Sequence, residues 1–249
     1  MALQEEWTKR GQWLFRYRGT APLLLLIPGL GIYLYNKINP SFNFPRFDLP
    51  EQTYELICLA VSLFGLVIRI YTVGHTPKNT SGRNIKQQRA DSLNTTGIYS
   101  LVRHPLYLGN FFMWLGAALL TENPWFILVF CLIYWIYYER IMFAEEQFLR
   151  KKFGDSYLKW AEKVPAFIPR FRGFAPPDTP LSWRKVLKKE KNGLAATFLV
   201  FFIFDTYGAL IRNPFEYNRW LAIGTLVTVL LYLILTLLKR RTGWLNEDR

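Results

Sequence analysis

The sequence predicts an all-α fold, an integral-membrane bundle of about six transmembrane helices with further helices along the cytoplasmic interface. Three observations carry this expectation. Hydrophobic residues make up 51% of the 249-residue chain and are gathered into long uncharged blocks, each close to the ~20 residues that cross a bilayer. Basic segments separate the blocks, and on a six-span arrangement 27 of the 31 Lys and Arg fall on one side. That asymmetry places both termini in the cytoplasm. Between the fourth and fifth blocks the pattern turns amphipathic, with aromatic residues interleaved among charges, as in a helix lying on a membrane surface. The net charge of +13 therefore suits anionic headgroups, and its distribution argues against nucleic acid as a partner.

Residues 19–36 carry no charge and form the first expected span. A basic tail precedes them, but no small-residue cleavage site comes after, so the segment reads as an anchor rather than a signal peptide. A Pro- and Phe-rich loop from Asn39 to Pro50 leads to a second span at 53–73, which contains Glu55 and Arg69. Arg69, near its cytoplasmic end, is expected to meet headgroups. Residues 74–104 form a polar loop with turn signals at Thr76-Pro77 and Ser81-Gly82. The triplets Asn79-Thr80-Ser81 and Asn94-Thr95-Thr96 lie in this loop and read as chance matches to a glycosylation acceptor. The third and fourth spans, 105–121 and 124–142, are joined so tightly by Thr121-Glu122-Asn123-Pro124 that they make a helical hairpin. Both are short for a ~30 Å hydrocarbon core.

The helix continues past 142 along the interface and ends at Pro165 and Pro169. A basic surface helix is expected at 181–191, then spans at 192–211 and 220–238. Asp205 interrupts the fifth span. Acids inside membranes are functional suspects, but its place towards the outer end favours packing or a hydrogen bond. Cys58 and Cys131 both fall in apolar runs and read as packing residues, with neither a disulfide framework nor a metal-binding cluster. The chain divides into an N-terminal two-span region (1–89), a core (90–170) and a C-terminal extension (171–249).

The chemistry concentrates where the polar loop meets the third span. Gly97-Ile98-Tyr99 and Arg103-His104-Pro105-Leu106-Tyr107-Leu108-Gly109 set an arginine, a histidine and two tyrosines around a proline. Proline suits the first turn of a helix. The free N–H groups of that turn, with Arg103 and His104, would attract an anion at the membrane surface. His104 could instead cap the helix or meet headgroups. Glu145 and Glu146 come after the fourth span. Adjacent helical residues point about 100° apart, so one of the two is expected to face the site, with Glu146 slightly favoured. Arg140 could pair with Glu145 or a substrate, or snorkel at the end of its span.

These residues resemble the RHPxYxG signature of the isoprenylcysteine carboxyl methyltransferase and phospholipid methyltransferase family. Glu145-Glu146-Gln147-Phe148-Leu149 matches that family's EExxL element. Phe153-Gly154-Asp155-Ser156-Tyr157 and Val164-Pro165-Ala166-Phe167-Ile168-Pro169 match the family's segments C-terminal to that element. The resemblance spans about residues 90–170. It implies an integral-membrane enzyme that uses S-adenosylmethionine, closed over by the two elements on the cytoplasmic side, with the acceptor's lipid tail between helices. It puts His104, Tyr107, Gly109 and a glutamate at the cofactor.

The residue chemistry is compatible with this. The helix start at Pro105 and Arg103 could hold the cofactor carboxylate. Glu145 could hold its ammonium, and Tyr99 and Tyr107 could stack on adenine or on the sulfonium. Gly109 allows a close approach to its backbone. Arg103, Arg140 and Glu146 are the candidates for orienting the acceptor and the reacting groups. Nothing resembles the GxGxxG of a doubly wound cofactor domain.

A carboxylate or phosphate acceptor needs no base, whereas an ammonium headgroup must first lose a proton. The cations beside the two acids favour an anionic acceptor borne on a lipid or lipidated molecule. An amine headgroup with a glutamate as base stays open. So do a nicotinamide-dependent reductase of the membrane sterol type and a non-enzymatic membrane protein.

Overall fold

The computed structural model describes residues 2–39, 49–77, 80, 88, 90–212 and 217–245. Its helices are α1 (Leu3–Tyr17), α2 (Leu26–Ile38), α3 (Glu51–Gly74), α4 (Pro105–Leu119), α5 (Pro124–Phe153), α6 (Asp155–Ala161), α7 (Trp183–Arg212) and α8 (Arg219–Arg241). Among the described residues there is no strand, only an isolated bridge between Gly97 and Ala175. Most of the expected 39–50 loop, the Ser81-Gly82 turn and Asn79 lie outside the described residues.

Local chemistry sets the helix starts. Pro105 and Pro124 occupy the first turns of α4 and α5, where the missing N–H costs nothing. Asn123 and Asn218 cap α5 and α8, accepting from the N–H groups of Phe126 and of Trp220 and Leu221. Four helices, α3, α5, α7 and α8, are long and apolar enough to cross a membrane. At 15 residues, α4 extends about 22 Å and falls short of a full crossing.

Two features differ from the expected arrangement. First, the first apolar run follows another helix at a sharp bend: α1 and the helical segment Pro22–Ile38, which holds most of the run, meet at 73°. The preceding basic tail is itself helix α1, laid along α5. There Trp7 packs edge-on against Phe143 at 5.7 Å, and the Tyr137 hydroxyl donates to the Leu14 carbonyl. Secondly, the surface helix at 181–191 and the fifth span are a single 30-residue helix, α7.

The packing gives the bundle two ends. α3 runs antiparallel to both α4 and α7. The ends carrying Arg69, Pro105 and Glu190 come together, and so do the ends carrying Glu55, Thr121 and Asp205. At the second end Asp205 accepts from the Asn218 N–H at 2.8 Å, and the Asn218 side chain donates to Glu55 at 3.1 Å. Asp205 is thus a buried hydrogen-bonding group. Lys37 joins Glu51 at 2.6 Å and Glu122 at 3.4 Å beside it.

One apolar cluster gathers Phe15, Tyr107, Phe130, Tyr134, Tyr138 and Ile141; the other gathers Tyr33, Cys58, Leu59, Phe201, Phe204 and Leu221. Cys58 is a packing residue. α3 and α4 approach backbone to backbone through Gly65 and Gly109. A Cβ on Gly65 would come within 2.6 Å of the Met113 nitrogen and closer still to the Gly109 carbonyl oxygen, neither of which can swing aside. Gly65→Ala is therefore expected to cost about 1–3 kcal/mol, read as a fall of several degrees in the detergent-solubilised melting temperature.

Candidate active site

The site is built on the start of α4. Residues 97–104 lie against segment 165–175. Arg103 and His104 donate their N–H groups to the Pro165 and Ala166 carbonyls at 2.9 and 3.1 Å, and Arg170 donates to Leu101 at 3.0 Å. The N–H groups of Tyr107 and Leu108 fold back onto the His104 carbonyl. The anion-attracting patch expected from this helix start is correspondingly narrower, because four of its donors are already engaged.

The two α5 glutamates face different tasks. Glu146 accepts from Arg103 Nε at 2.9 Å and lies 3.0 Å from His104 Nε2. Arg103 Nη1 donates to the Ala161 and Val164 carbonyls, both at 2.8 Å. Arg103 therefore ties α4 to α5 and to the turn after α6. Glu145 accepts from the Tyr107 hydroxyl at 2.8 Å and approaches His104 Nδ1 at 3.5 Å. His104 is 6% exposed and sits between two carboxylates. Burial alone would drive its proton off. The hydrogen bonds and charges of Glu145 and Glu146 outweigh that effect and raise its pKa above the ordinary 6.5, so the two carboxylates favour the protonated ring, with Nε2 at hydrogen-bond distance from Glu146 and Nδ1 at ion-pair distance from Glu145.

A cavity of about 600 Å³ opens beside this cluster. Arg103, His104, Pro105, Tyr107, Tyr99 and Glu145 line its polar end. Burial, with the Glu145 charge nearby, holds the Tyr99 phenol well above its ordinary range, so it is a neutral aromatic wall. Gln88 also lines this region, and its buried Nε2 has no hydrogen-bond partner among the described residues. The cavity then runs between α4 and α7 past Met113, Trp114, Ala117, Ala196 and Val200. Pro105 to Ala117 covers about 18 Å of helix, so the apolar arm reaches deep into the bundle.

Not every candidate converges here. Glu145, rather than Glu146, lines the cavity, and Glu146 stands behind as the partner of Arg103 and His104. Gly109 meets α3, where Arg69 Cγ would lie 2.6 Å from an added Cβ. Arg140 is outside the lining. Its guanidinium lies 3.4 Å from the Trp7 ring centroid, a cation–π contact with α1. Arg69 is not at headgroups, as its position in the sequence suggests. It forms a bidentate pair with Glu190 of α7, both bonds at 2.8 Å, and donates to Asn110 at 2.6 Å. All three line the cavity. Sequence reasoning misses Asn110, Glu190 and Gln88. The only signal is a charge inside an apolar run, and its partner lies 121 residues away.

A family model of phospholipid methyltransferases matches residues 54–156. The chain is 42% identical over 139 residues to the protein-S-isoprenylcysteine O-methyltransferase of Schizosaccharomyces pombe, covering 54% of this chain and 58% of that protein. It is 33% identical over 133 residues to the Xenopus laevis protein of the same name, covering 51% and 44%. A probable protein-S-isoprenylcysteine O-methyltransferase of Oryza sativa is 33% identical over 159 residues, covering 60% of this chain and 81% of its own length. The chain spans about half the length of the first two. No solved structure matches.

Because His104 binds its proton more tightly folded than unfolded, its contribution to stability is complete below about pH 6.5. It drains away as pH climbs through the elevated folded value. The thermal midpoint in detergent should fall as pH rises above about 6.5, and His104→Asn should flatten part of that slope. Melting curves across a pH series check this.

Proposed function

Since the chain belongs to the protein-S-isoprenylcysteine O-methyltransferase family, we propose that it transfers a methyl group from S-adenosylmethionine to a carboxyl oxygen of a lipid-attached acceptor at the cytoplasmic membrane face. The observation that carries the reading is the continuity of one cavity, polar around Glu145, Tyr107 and Gln88 and apolar along α4 and α7. A charged small molecule and a lipid tail can meet there.

S-adenosylmethionine, when bound, supplies an electrophilic methyl carbon on a sulfonium. The residues present fit such a group. Glu145 presents a carboxylate to an ammonium or sulfonium. Gln88, whose Nε2 has no partner among the described residues, offers a donor to a carboxylate or an adenine edge, and Tyr99 and Tyr107 supply neutral aromatic surface. Arg103 and Glu146 hold these groups in place from behind.

Methyl transfer needs in-line orientation above all, and orientation can supply much of a rate enhancement. A carboxylate acceptor is already a nucleophile, so the chain needs no base to prepare it. His104, whose pKa is raised by two glutamates, is suited to fixing their positions, and the reaction with a carboxylate asks no proton removal of it. The apolar arm holds the acceptor's tail and excludes water.

Protein in nanodiscs, given tritiated S-adenosylmethionine and an N-acetyl-S-prenylcysteine, should form a base-labile methyl ester. Glu145→Gln should weaken cofactor binding about tenfold, the ~1.4 kcal/mol of one charge-assisted contact. Label in an amine phospholipid instead of the prenylcysteine would redirect the acceptor. Binding of NADPH without S-adenosylmethionine would overturn the reading.

A further inference from the structure

The strap formed by residues 165–175 presents an exposed apolar tip that nothing in the reaction requires. Ile168, Phe171 and Phe174 are 76%, 87% and 51% exposed, and they lie outside every helix. Exposed apolar residues on α3, α5 and α8 are accounted for by hydrocarbon around the spans. These three are not.

Two observations say what covers the tip. First, the strap begins against a spanning helix. Phe167 packs against Phe111 at 6.0 Å and against Trp135 at 5.5 Å, and Trp135 is an exposed residue of the spanning helix α5. Secondly, the tip is basic. Arg170 and Arg172 are exposed and flank Phe171, and residues 163–177 contain no Asp or Glu. The next acid, Asp178, is engaged by the Thr96 hydroxyl at 3.0 Å. Alternating aromatic and arginine side chains beside a spanning helix match an interface of anionic headgroups over acyl chains.

We propose that the 165–175 strap docks on the anionic phospholipid surface of the membrane in which the chain sits, inserting Ile168, Phe171 and Phe174 below the headgroups while Arg170 and Arg172 pair with phosphates. The strap is pinned to the site's backbone along its length. Pro165 and Ala166 accept from Arg103 and His104, Arg170 donates to Leu101, and Ala175 accepts from Gly97 and donates to the Ser100 hydroxyl. Docking the tip therefore steadies the segment that enters α4. The docking does not depend on the methyl-transfer reading, and its test uses no activity.

The full-length Cys58→Ser/Cys131→Ser protein, with Phe171→Cys carrying a nitroxide, is placed in nanodiscs of phosphatidylcholine alone or with phosphatidylserine. Collision with oxygen and with a water-soluble nickel complex reads the depth of the label. Hydrogen exchange of the unlabelled protein reads the 97–104 amides. The proposal expects the label to move from aqueous to interfacial depth with phosphatidylserine, and exchange at Arg103 and His104 to slow severalfold. Arg170→Gln/Arg172→Gln, which removes two exposed charges and the Arg170 Nε bond to the Arg172 carbonyl at 3.1 Å, should lose both effects, and Arg172→Gln alone, which leaves that bond in place, should weaken both. A label equally wet in both discs, as a protein-docking tip would be, overturns the proposal. So does one equally deep in both, or a depth change without slower exchange.

Discussion

Two neighbouring carboxylates on α5 hold the site together. A helix turns about 100° per residue, so Glu145 and Glu146 cannot face the same way, and the fold uses the difference. Glu146 faces the backbone of the opposite wall through Arg103. Glu145 faces the cavity through Tyr107, and His104 spans the two. Removing one member would leave the others charged and partly buried, which costs several kcal/mol for such pairs. The cluster therefore behaves as a unit, and its members are better described by what they position than by individual contributions.

The surrounding helices are shaped to let that cluster meet an apolar channel. The backbone contact of α3 with α4 at Gly65 and Gly109 brings Arg69 beside Asn110. From there Arg69 reaches Glu190 and fastens α7 as the far wall. Residues 171–249, which carry no resemblance to the methyltransferase signature, thus line much of the cavity's apolar arm. The arm's shape, and so the size of tail it accepts, depends on this pairing as much as on the signature residues.

Most of the spans and the start of α4 were legible because they rest on local rules, namely apolar run length and proline in a first turn. The 97–109 and 145–169 elements were legible as elements because their spacing is local too. Four features were not. Which glutamate faces the cavity depends on the rotation of α5 against α4, which no residue count supplies. Arg69 looked like a headgroup contact because its partner is 121 residues away. The bend before α2 and the union of the basic helix with the fifth span depend on packing against α5 and α3. Arg140 illustrates the same limit, since its guanidinium is claimed by Trp7 of a helix that reads in sequence as a basic tail.

The claim beneath this account is that His104 is an imidazolium bridging two glutamates. The chain has two histidines, so ¹⁵N-histidine labelling of the His75→Gln protein leaves one imidazole to follow in detergent micelles. Both ring nitrogens should report the protonated form up to a midpoint above the ordinary 6.5 of histidine, and that midpoint should fall in Glu146→Gln. A neutral ring throughout the range below 6.5, or a midpoint indifferent to Glu146, would contradict the bridge and the site built on it.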